Sequence, residues 1–159
     1  MDRHHLEDIH EGDRWDLDKY HLTREEIVEF AEKYDPQPFH LDEEAARQSI
    51  FGELIASGWQ TACIYIRLLT EGFLEETSHL AGKRVTELQW THPVYPDDVL
   101  TGTVKILDTW PSSSDSSRGY VEYRIAGTNQ DGESILRMEL VGIFGRRSAD
   151  GEINSGRSR

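Results

Sequence analysis

A chain of 159 residues with 36% hydrophobic content has enough material for one domain with a buried core and too little for two of ordinary size. Its net charge of −13 argues against nucleic acid and anionic membrane surfaces as partners, because binding there needs phosphates to be neutralised by Lys and Arg. A single cysteine, Cys63, excludes an intrachain disulfide and a thiolate metal cluster, and fits a reduced cytoplasm.

The first residues, MDRHHLEDIHEGD, lack the basic and apolar pattern of an export signal, and residues 1–12 are expected to be flexible. His4, His5 and His10 have no metal-ligand spacing, and no metal is expected. The segment RWDLDKYHLT, residues 14–23, has the partial alternation of a strand. A helix should follow, since Thr23 and Glu26 fit a capping box and Ile27, Phe30, Ala31 and Tyr34 then recur at helical spacing. Pro36 must end it. A short helix is predicted over DEEAARQS, residues 42–49, with Asp42 as its cap.

A longer helix is predicted from Ser57 to about Glu76, with Ala62, Ile66, Leu69 and Phe73 on one apolar face that Tyr65, Leu68 and Leu74 widen. Its stretch LIASGWQTACIYIRLL is interrupted by Gln60 and Arg67 and is shorter than the roughly 20 residues of a membrane span. It reads as a core helix. From Lys83 the pattern changes to strands: KRVTELQWT, VLTGTVKILDTW, RGYVEYRIAGTN and ESILRMELVGIFGRR, separated by the turn signals HPVYPDD, PSSSDSS and NQDG. A sheet needs its apolar face covered, so the expected architecture is α+β, a curved antiparallel sheet wrapped around one long helix. The domain spans 13–147, and the polar stretch 148–159 is expected to be a flexible tail.

One short stretch carries chemistry. In YDPQPFH, residues 34–40, both prolines fix φ and push Asp35 and Gln37 toward extended conformations, so the loop should be stiff and extended. A stiff loop can hold a carboxylate and an imidazole in fixed mutual geometry, as acid/base work on one small molecule requires. Asp35 and His40 are the pair, with Gln37 as an orienting amide. The bland alternative is a turn-starting Asp and a histidine that satisfies a backbone group. Downstream, if Ser57 caps the long helix, then Gly58 presents a free N–H at the positive end of the dipole, with no side chain to obstruct a ligand. Such an amide can form part of an oxyanion hole, although the same glycine also reads as a close-packing position.

The runs YDPQPFHLDEEAARQSIFGELIASGW and LQWTHPVYPDDVLTGTVKIL resemble the MaoC-like dehydratase family, which includes the (R)-specific enoyl-CoA hydratases. The likeness runs from about Gly12 to Arg147 and implies the hotdog fold, in which an antiparallel sheet wraps a long helix. The family pattern Asp-x-Asn-Pro-apolar-His is matched by Asp35, Pro38, Phe39 and His40. The resemblance implies catalytic roles for Asp35, His40 and the amide of Gly58, and substrate contact by Gln37, Phe39, Ser57 and Trp59. It implies reversible hydration of a trans-2-enoyl-CoA to an (R)-3-hydroxyacyl-CoA, with no cofactor beyond the coenzyme A of the substrate, in a homodimer. Arg84, Arg118, Arg146 and Arg147 are candidates for the coenzyme A phosphates.

Three departures stand out: Gln37 in place of Asn, Tyr34 in place of a glycine, and Asp97 where Pro-Gly-Asp turns carry glycine. Two alternatives remain at this level. A hotdog thioesterase would need a carboxylate near the central helix, where Glu53 is the candidate, and a non-catalytic acyl-thioester binder would have lost the use of its dyad.

Overall fold

The computed structural model describes residues 2–147. Helix α1, Arg24–Tyr34, begins as its sequence dictates: the Thr23 hydroxyl accepts the amide of Glu26 and the Glu26 carboxylate accepts the amide of Thr23. It ends at Asp35, just before Pro36, and buries Ile27 and Ala31. Two short helices follow, α2 over Pro38–Leu41 and α3 over Glu43–Arg47, the latter capped by the Asp42 carboxylate on the amide of Ala45. The central helix α4 spans Gly58–Gly72, and four long strands complete the chain: β3 His79–Trp90, β4 Val99–Pro111, β5 Arg118–Thr128 and β6 Ser134–Gly145.

Two short strands, β1 Arg14–Asp16 and β2 Tyr20–His21, both pair with β4, giving a six-stranded antiparallel sheet in the order β1-β4-β5-β6-β3 with β2 beside β4. The concave face of the sheet is covered by α4, as the apolar patterning requires. Along β5 the residues Val121, Tyr123 and Ile125 point inward and are buried, alternating with partly exposed Tyr120, Glu122 and Arg124. Tyr65 of α4 lies against Gly127, where a Cβ would come within 2.4 Å of the ring, and its hydroxyl donates to the carbonyls of Thr101 and Thr128. Burial pushes the Tyr65 hydroxyl pKa far up, so it stays a neutral donor. At the other end of α4, Phe73 packs against Trp15, Tyr123 and Phe144.

The turn HPVYPDD is built around Asp98, whose carboxylate accepts the amide of Tyr95 and the side chain of Gln130. Asp97 occupies the left-handed region at φ 69°, the place where a glycine would be unstrained, and its carboxylate reaches His21.

Several expectations are corrected. The strand predicted over 14–23 is two pieces, interrupted where the amide of Lys19 turns onto the Asp18 carboxylate. Strand β3 begins at His79, four residues early, and is nearly all exposed because it is the sheet edge. α4 stops at Gly72 and is followed by a separate 3-10 turn over Leu74–Glu76. Ile66 is 40% exposed, because the buried face runs through Thr61, Tyr65, Leu68 and Leu69 and leaves Trp59, Cys63 and Ile66 on an outer stripe.

The segment expected to be flexible makes contacts with the domain from His4 onward. Backbone bonds join His4 to Glu76 and Ser78, and Leu6 and Ile9 are buried. Leu6 fills the space above Gly119, a position at which a Cβ would meet it at 2.4 Å. The expected tail, 148–159, lies outside the described residues.

Candidate active site

The segment between α1 and α2 is where the dyad forms. Asp35 is the C-cap of α1, and Gln37 is extended at φ −74° and ψ 140°, as a residue preceding proline should be. Pro38 then starts a helical turn instead of prolonging an extended loop, because its fixed φ and missing N–H suit the first helical position. That turn swings His40 back toward Asp35, so that His40 Nε2 lies 3.4 Å from Asp35 Oδ2.

Both members are held from behind. His40 Nδ1 is 2.8 Å from the carbonyl oxygen of Ile55, which places the ring proton on Nδ1 and turns Nε2 to the carboxylate. The Ile55 amide in turn donates to the carbonyl of Phe39, which locks the two segments together. Asp35 Oδ2 accepts the hydroxyl of Ser57 at 2.7 Å, and Oδ1 accepts the amide nitrogen of Gln37 at 2.8 Å. Gln37, the longer side chain at this position, therefore folds back onto the carboxylate. Burial opposes the charge on Asp35, but the hydrogen bonds from Ser57 and Gln37 and the nearby His40 outweigh it and hold the carboxyl below its ordinary pKa.

The dyad opens on a cavity of about 410 Å³ lined by Asp35, Gln37, Phe39, His40, Gly58 and Trp59, together with Thr61 and the run from Trp90 to Val94. Its walls are mainly aromatic and aliphatic, with few polar groups converging, as expected of a small-molecule site. Gly58 is the first residue of α4. The Ser57 hydroxyl accepts the amide of Trp59, so the cap leaves the Gly58 amide for another acceptor. The amide of Ala56, two residues earlier, is fixed by the carbonyl of Val94.

Among the expected substrate-contacting residues, Gln37, Phe39 and Trp59 line the cavity, whereas Ser57 is fully buried and turns its hydroxyl to Asp35. Its place is behind the carboxylate because it must cap the helix and serve Asp35 with one oxygen. Sequence reading missed Phe51, Thr61, Trp90 and His92, which reach the cavity only through folding; the two in LQWTHPV lay in a stretch already quoted for its resemblance. The four arginines considered for phosphates are not among the lining residues. Arg118 pairs with Asp115, Arg146 with Glu7 and Arg147 with Asp8, the last two fastening the N-terminal segment beside the end of β6.

Residues 9–124 match the family model described as MaoC like domain. The chain belongs to the MaoC-like dehydratase family. This MaoC-like protein is 33% identical over 126 residues to the uncharacterized protein YdeM of Bacillus subtilis, a match that covers 79% of this chain and 87% of that one. Among solved structures it is similar to a MaoC-like dehydratase from Rhodospirillum rubrum at 40% identity, with a TM-score of 0.81 over 90% of this chain and 97% of the other. It shares the fold of the R-hydratase PhaJ1 from Pseudomonas aeruginosa, at 21% identity, a TM-score of 0.67 and coverage of 90% and 86%. The sheet wrapped around α4 is thus the hotdog fold. No helix among the described residues is long and apolar enough to cross a membrane.

Proposed function

We propose that this MaoC-like protein is a hydro-lyase that adds water reversibly to a trans-2-enoyl-CoA, giving an (R)-3-hydroxyacyl-CoA. The observation that carries this reading is the Asp35–His40 pair, 3.4 Å apart on the wall of the cavity that Gly58 also lines. A water between the two groups donates to the Asp35 carboxylate and meets His40 Nε2, while Nδ1 stays bound to Ile55. Its oxygen adds to C3 as its proton passes to the dyad, and the dyad returns a proton to C2, so the sum is one water added. Charge that collects on the thioester oxygen meets the Gly58 amide, backed by the dipole of α4, a donor of a kind typically worth about 3 kcal/mol. Both 3-hydroxyacyl and enoyl thioesters use the same groups, so dehydration follows by reversal.

The cavity volume, about 410 Å³, is toward the low end for small-molecule pockets, which fits an acyl thioester head with the bulk of coenzyme A outside. Coenzyme A is favoured over an acidic carrier protein by the net charge of −13. We further propose a homodimer formed through the exposed edge strand β3 and the outer stripe of α4. There Leu80, Val85, Trp90, Trp59 and Ile66 are all exposed, an apolar surface on an edge that is unpaired among the described residues.

Thioester hydrolysis is disfavoured by the position of Glu53, which lines a separate, smaller cleft with Arg24 and Arg47. The test is loss of the conjugated thioester absorbance of trans-2-butenoyl-CoA, with wild type run beside Asp35→Asn and His40→Gln. Turnover by wild type and at least a thousandfold less by either variant is expected, given that the pair acts as a unit. Equal turnover by Asp35→Asn would remove the dyad from the mechanism.

A further inference from the structure

Trp90 is the last residue of β3, paired across the sheet with Leu136 of β6. Its indole N–H donates to the carbonyl oxygen of Gly58 at 2.7 Å. A Cβ built on Gly58 would come within 2.6 to 2.9 Å of three atoms of that indole, so the ring lies directly against the glycine. The same ring meets Trp59 edge to face, with centroids 5.1 Å apart and planes at 81°. Trp59, Trp90 and Gly58 all line the cavity of the dyad.

A helix that opens with glycine has a weakly determined first turn, since glycine loses most entropy on ordering and helix ends fray. Two side chains hold this one. Ser57 takes the amide of Trp59, and Trp90 donates to the carbonyl of Gly58, which retains a second lone pair for the helix. We infer that Trp90 is the positioning residue for the Gly58 amide: it ties the first turn of α4 to the rim of the sheet and occupies the space that makes residue 58 a glycine. This rests on the reading of Gly58 as the donor to the thioester oxygen. Trp90 acts through Gly58 and not on the reacting atoms. Glycine at 58 is then required by the sheet as well as by the ligand.

A double-mutant cycle on the full-length protein tests this, with kcat and KM measured for trans-2-butenoyl-CoA hydration. Trp90→Phe keeps a ring and loses the N–H; it should lower kcat about fivefold, more than it changes KM, with the pH profile unchanged, since the dyad is untouched. Gly58→Ala should cost about 30-fold in kcat in the wild-type background and less than about threefold beside Trp90→Ala, where the methyl group has room. An equal cost of Gly58→Ala in both backgrounds would overturn the inference, as would a Trp90→Phe protein changed in KM alone. Wild type without turnover would instead remove the proposed function, and the positioning role with it. Trp90→Phe is a mild change, so poor folding of Gly58→Ala would not leave the question open.

Discussion

Replacing Ser57 by alanine probes two jobs held by one oxygen. The hydroxyl caps α4 by accepting the Trp59 amide at 3.2 Å, and it donates to Asp35 Oδ2 at 2.7 Å from a fully buried position. Loss of an N-cap costs about 1 kcal/mol. Loss of a hydrogen bond to a charged group costs about 1.5–3 kcal/mol, because the carboxylate keeps its charge with one partner fewer. Only one oxygen atom is removed, so the space left is small, and the expected destabilisation at pH 7 is about 3 kcal/mol in urea unfolding followed by tryptophan fluorescence. Against a domain stability of about 5–15 kcal/mol this is large.

The pH dependence follows from Asp35. Its folded pKa is depressed, so its stabilising contribution is present above the unfolded value of about 3.9 and is lost as pH falls through the lower folded value. The gap between wild type and Ser57→Ala should therefore be full at neutral pH and shrink in acid. In an Asp35→Asn background, where at most a neutral acceptor faces the Ser57 hydroxyl, Ser57→Ala should cost less, about 1–2 kcal/mol. A loss below 1 kcal/mol at pH 7, or the same loss in both backgrounds, would refute the coupling of cap and carboxylate.

Gly127→Ala should destabilise by about 1–3 kcal/mol, because the new methyl meets the buried Tyr65 ring; an unchanged urea midpoint would contradict that packing. Asp97→Ala should be about 1 kcal/mol less stable than Asp97→Gly, since only glycine takes the left-handed conformation freely, and paired thermal melts will show the order. His79 is partly buried, its Nε2 has no hydrogen-bond partner among the described residues, and burial depresses its pKa, so the fold prefers the neutral ring. That preference stabilises above the unfolded value of about 6.5 and is lost as pH falls below it, and His79→Phe should flatten the stability slope between about pH 7 and 5.5.

Local chemistry made some of this legible in the sequence. The Thr23–Glu26 capping box, the stop at Pro36 and the Asp42 cap need only neighbours along the chain, and they stand where the residues put them. The four long strands were bounded by strong turn signals, and the spacing of YDPQPFH brings Asp35 and His40 together through a single proline-started turn. What escaped depends on distant partners. The edge strand β3 shows no apolar alternation at its start, because Leu80, Ala81 and Gly82 are all exposed and only the His79 ring packs inward, on Phe144, so His79 to Gly82 gave no strand signal. The contacts of the N-terminal segment come from Gly119, Thr77, Arg146 and Arg147, all far from it along the chain. Ile66 fitted an apolar spacing that the sheet does not use. The bond from Trp90 to Gly58 joins residues 32 positions apart, and nothing in either neighbourhood announces it.

The most direct test of the dyad mechanism is where the oxygen of water goes. Wild-type protein, Asp35→Asn and His40→Gln would be incubated with trans-2-butenoyl-CoA in water enriched in oxygen-18, and the products separated and weighed by mass spectrometry. Hydration by Asp35 and His40 predicts label in the 3-hydroxyl group of an intact thioester, in wild type alone. Label in the carboxylate of a released acid, or an unlabelled and unchanged substrate across enoyl chains of several lengths, would contradict it.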